Sequence, residues 1–95
     1  MAINTAAALG LVKARLNRLP SDTTLDGYLL ERINAAIGEI EATGIILTDT
    51  SADMLLVVDY AVYQYQSRDK PGGMPDWLRL RRRERWLQQR EADEA

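Results

Sequence analysis

Residues 51–66, SADMLLVVDYAVYQYQ, set the fold class of this chain. The run is too long for an ordinary strand and contains neither Gly nor Pro. Met54, Leu55, Leu56, Val57, Val58, Tyr60, Ala61, Val62, Tyr63 and Tyr65 cover the whole circumference of a helix, and only Asp59 and Gln64 interrupt its middle. A helix that is apolar all round is buried on several sides or lies in a membrane. A membrane span needs about 20 apolar residues; this run is shorter and carries Asp59. It therefore predicts the central helix, 51–67, of a small all-α bundle, with more apolar surface than one such domain covers.

Three further helices follow from the flanking sequence. Upstream, Asn4 or Thr5 can cap a helix running to about Asn17, with Ala8, Leu9, Val12 and Leu16 at helical spacing. Leu19-Pro20-Ser21-Asp22 then reads as a stop and a turn. Thr23 or Thr24 can cap a second helix ending near Ala42, and its Leu29, Ile33, Ala36, Ile37 and Ile40 form the clearest amphipathic stripe in the chain. Gly38 inside it suggests close packing against a neighbour, and Gly44 sits where a left-handed C′ residue ends a helix. Ile45-Ile46-Leu47 fits either a buried connector or a brief strand, and Asp49, Thr50 or Ser51 can cap the central helix. Beyond it, Ser67–Met74 contains Pro71-Gly72-Gly73 and reads as a flexible loop. Pro75 and Asp76 suit the first turn of a basic terminal helix, 75–90. The acidic tail, 91–95, is expected to fray.

Ninety-five residues make one domain, 1–95. There is no Cys and no His. That removes disulfides, thiol nucleophiles, the commonest general base and the usual zinc ligands. No phosphate-binding glycine loop with Lys is present either. No catalytic, cofactor-binding or metal residues are expected, and Asp59 reads as a structural partner for a buried Arg or Tyr hydroxyl. The N-terminus lacks a basic start, and Lys13 and Arg15 break its apolar run. It does not read as a signal peptide, which points to a cytosol-like compartment and no membrane role.

The net charge of −2 is unevenly spread. Residues 1–67 hold four basic and eight acidic side chains, residues 68–90 eight basic and three acidic, and the last five residues three acidic. A basic segment on an acidic body suits an anionic partner or a second copy of the same body. The terminal helix carries two apolar lines: Trp77, Leu80 and Leu87 on one side, Leu78 and Trp86 roughly opposite. Arg79, Arg81, Arg82, Arg83 and Arg85 stand between them. Two readings are open. The helix is a solvated basic element whose tryptophans lie on its own core, or it is an interface helix in which Trp77, Trp86 and these five arginines meet a partner. Phosphate contact is a further use of the arginines, but Asp76-Trp77-Leu78 at the helix start argues against base-specific reading.

The order of elements resembles the small head–tail connector (head-completion adaptor) proteins of tailed phages and prophages. The resembling segments are LVKARLNRLP (11–20), LDGYLLERINAAIGEIEATG (25–44), ADMLLVVDYAVYQYQSRD (52–69) and MPDWLRLRRRERWL (74–87). Together they cover most of the chain from about Leu9 to Leu87, though none is a catalytic signature. The resemblance implies a non-enzymatic virion protein at the head–tail junction, assembled in the bacterial host cytoplasm. It further implies a ring oligomer that contacts the portal protein and the next head-completion or tail protein, with DNA passing through its channel. The alternative is a small helical nucleic-acid-associated packaging accessory or regulator.

Overall fold

A computed structural model describes residues 3–67 and 73–94. It contains four helices, α1 (Thr5–Arg15), α2 (Asp26–Ala42), α3 (Ser51–Gln66) and α4 (Asp76–Glu94), and no strand among the described residues. The expected all-α bundle is therefore present. Residues 68–72, which hold most of the expected loop, lie outside the described residues, as does Ala95.

Several boundaries have a local cause. Asn4 caps α1, its Oδ1 accepting from the Ala7 N–H at 3.1 Å. The helix stops at Arg15, two residues short of the expected Asn17, because Asn17 takes a left-handed φ of 58°. The N–H groups of Asn17 and Arg18 then bond back to the carbonyls of Ala14 and Lys13, and asparagine tolerates that conformation better than most residues. The expected threonine cap of α2 is not used: Leu25 stands at the cap without a side-chain bond. Thr24 is instead drawn back to Asp22, whose Oδ1 accepts from its N–H and hydroxyl at 3.0 and 2.6 Å. Those two bonds, with the Arg18 guanidinium beside it, hold the Asp22 carboxyl below its ordinary range. Thr50 caps α3, its hydroxyl accepting from Asp53 N–H at 3.2 Å. The acidic tail does not end α4 early; the helix continues through Glu94, four residues past the expected end.

The core is built around α3. Leu56, Val57, Val58, Tyr60, Ala61 and Val62 are buried. They meet α1 through Ala8 and Val12, α2 through Leu29, Ile33, Ala36 and Ile40, and α4 through Leu78. The expected apolar excess of α3 is thus largely absorbed, because three helices surround it. Leu55 is the large apolar side chain it still exposes, while Met54, Tyr63 and Tyr65 pack half-buried on the core. Gly38 does not mark close packing, since a Cβ there would meet nothing within 4 Å.

Gly44 ends α2 as expected, at φ 99°. It lies beneath Trp86 of α4: a Cβ at Gly44 would stand 3.4 Å from Trp86 Nε1, an ordinary contact. The backbone conformation is therefore the constraint. A Gly44→Ala variant should lose about 1–2 kcal/mol, seen as a thermal midpoint lower by roughly 5–10 °C.

Candidate interaction surface

The terminal helix is fastened to the body along one face. Between α2 and α3 the chain has Ile45 and Leu47 buried and Ile46 turned outward; of the two readings left open, the connector and not the strand is what forms. Its backbone groups need partners, and α4 supplies them. Gln89 donates to the Gly44 carbonyl at 2.7 Å and accepts from the Ile46 N–H at 2.6 Å. Arg85 donates to the Ile46 carbonyl at 2.8 Å.

Arg85 also forms the best-buried ion pair with an α4 residue. Its Nε donates to Asp53 Oδ1 at 2.7 Å and its second nitrogen to Oδ2 at 3.2 Å. The Asp53 side chain is only 3 % exposed. Thr48 completes the carboxylate's shell, donating from its N–H and hydroxyl at 2.8 and 2.7 Å. Burial pushes the Asp53 carboxyl up; the bonds from Arg85 and Thr48 outweigh this and hold it below its ordinary value. The same pairing raises Arg85 further above its already high value.

Asp59 forms the second anchor, in the structural role expected of it. It pairs with Arg15 of α1 and Arg81 of α4, so one carboxylate of the central helix ties two neighbours. Both guanidiniums are more than a third exposed, so water screens this pair more than the Asp53 pair. Arg82 donates to the Tyr60 hydroxyl at 3.3 Å; burial, with Glu39 beside it, pushes that hydroxyl's pKa up. A third buried charge lies away from α4. Lys13 of α1 donates to the Pro20 carbonyl and pairs with Asp26, each at 3.0 Å.

These contacts sort the seven residues singled out from sequence. Arg81, Arg82, Arg85 and Trp86 turn inward and are engaged within the chain, with Trp86 packed on the core and beneath the Arg90 guanidinium. Arg79 pairs with Asp76 on the surface. Trp77 and Arg83 face out. Thr43, Arg79, Arg82, Arg83 and Trp86 border an open cleft of about 300 Å³. Leu78 is fully buried, whereas Trp77, Leu80 and Leu87 are 49, 56 and 41 % exposed. The two apolar lines of the helix thus have different fates, one covered and one bare.

Among the described residues, no three His, Cys, Asp or Glu side chains cluster as a metal site would require. Among them, too, no helix is long and apolar enough to cross a membrane. No family model matches the chain, and no curated protein or solved structure matches it either.

Proposed function

We propose that the chain is a non-enzymatic assembly protein of a phage or prophage head–tail junction. In this reading it joins a ring between the portal and the next head-completion or tail protein. The observation that carries the reading is the bare line Trp77, Leu80 and Leu87 on a helix held in place by buried bonds. An anchored helix presents such a line at a fixed position, and tryptophan is enriched among residues that anchor interfaces. The resemblance over most of the chain supplies the phage context. The nucleic-acid reading draws less support, because Arg81 and Arg85 spend their charge on Asp59 and Asp53.

Electron microscopy of the chain mixed with a portal ring from the same prophage tests this. The expected result is portal rings decorated by the wild type and left bare by Trp77→Ala and Leu80→Asp variants of unchanged circular dichroism. Bare portals with the wild type, together with tight duplex binding whose affinity falls steeply with salt, would favour the packaging accessory instead.

A further inference from the structure

The bare face of α4 is polarised across its width. Taking Leu80 as the origin at about 100° per residue, Leu87 falls about 20° away and the two leucines form one line. Glu84 and Glu91 lie about 40° and 20° to one side of Leu80. Arg83 and Arg90 lie about 60° and 80° to the other, where Asp76, about 40° round, is already paired with Arg79 of its own chain. All four charged residues are exposed, though Arg90 also stacks on Trp86 of its own chain. Adjacent residues on a helix do not face each other, so Arg83 and Glu84 do not satisfy one another.

This arrangement fits one occupant in one orientation. A two-fold axis parallel to the helix brings the acidic flank of one copy against the basic flank of the other, on both sides of the seam. Leu80 then faces Leu80 and Leu87 faces Leu87, with Arg83 opposite Glu84. An antiparallel two-fold pairing places Arg83 against Arg83 and Glu84 against Glu84, which repel. We infer that the isolated chain self-associates through α4 as a parallel two-fold pair, covering the line of Leu80 and Leu87 and flanked by Arg83–Glu84 pairs between copies. Such a contact is isologous. It concerns the isolated chain alone and does not depend on the junction reading. A single helix–helix seam is small beside the roughly 1,200 Å² of stable complexes, so the pair is a weak one.

Charge reversal tests the pairing without touching the core. Sedimentation equilibrium of the full chain up to about 1 mM should show a concentration-dependent dimer. Arg83→Glu and Glu84→Arg should each weaken it at least about tenfold, since like charges then meet twice. An equimolar mixture of those two variants should restore it, and so should the double variant. Helical content by circular dichroism should be unchanged throughout. Because the chain has no cysteine, Leu87→Cys should form a disulfide dimer on mild oxidation. A wild type that stays monomeric at about 1 mM, or a dimer indifferent to both reversals, overturns the inference. So does a disulfide that forms between Leu80→Cys and Leu87→Cys chains but not between two Leu87→Cys chains.

Discussion

Replacing Asp53 with alanine is expected to cost about 3 kcal/mol of unfolding free energy, measured by urea denaturation. The carboxylate is almost fully buried, and its loss leaves Arg85 without a counter-charge and removes the acceptor of two Thr48 bonds. Breaking a buried pair from one side costs more than the pair is worth intact, because the remaining charge is left without a partner. The variant should also lose pH dependence in a defined direction. The folded Asp53 carboxyl titrates below its ordinary value, so its contribution is complete above the unfolded carboxylate pKa of about 4. That contribution disappears as pH falls through the lower folded value. The stability gap between wild type and Asp53→Ala should therefore be widest near neutrality and narrow below about pH 4.

The second large effect contrasts two leucines on one helix. Leu78→Ala empties the one fully buried apolar site that α4 contributes among the described residues and should cost about 3 kcal/mol by the transfer and cavity terms together. Leu80→Ala, two residues on, removes a side chain that is 56 % exposed and should change stability by less than about 0.5 kcal/mol. Its effect belongs to association. Equal losses for the two variants in urea would mean that α4 docks by a different face.

The helices were legible in the chain because their signals are local. The all-round apolar run of α3 and the stripe of α2 place both elements almost to the residue. Gly44 and Thr50 announce their ends by backbone freedom and a hydroxyl. What stayed hidden depends on pairs far apart in sequence. Asp53 reads as an ordinary first-turn acid until Arg85, 32 residues away, is placed beside it. Lys13 looks like a surface residue until Pro20 and Asp26 close over it. Gln89 carries no pattern at all, and only the unpaired backbone of the connector explains its use. The arginine cluster misled most, since five cations on one helix suggest a common partner. Arg81 and Arg85 in fact answer carboxylates of α3; of these, Asp59 alone reads from sequence as a partner for a buried Arg or Tyr hydroxyl. The two apolar lines were visible from spacing, but which one the body covers follows only from the position of α3.

The identity of the outward face rests on α4 being docked in the isolated chain. Amide hydrogen exchange across Leu78–Gln89, at a concentration low enough to keep the chain monomeric, measures that directly. The expected result is protection approaching that of α2 and α3 in the wild type. The Ile46 amide should be protected with it through Gln89, and both should be lost in Asp53→Ala. Exchange of α4 at the rate of an unstructured segment while α2 and α3 remain protected would contradict it. The line of Trp77, Leu80 and Leu87 would then have no fixed position from which to meet a partner.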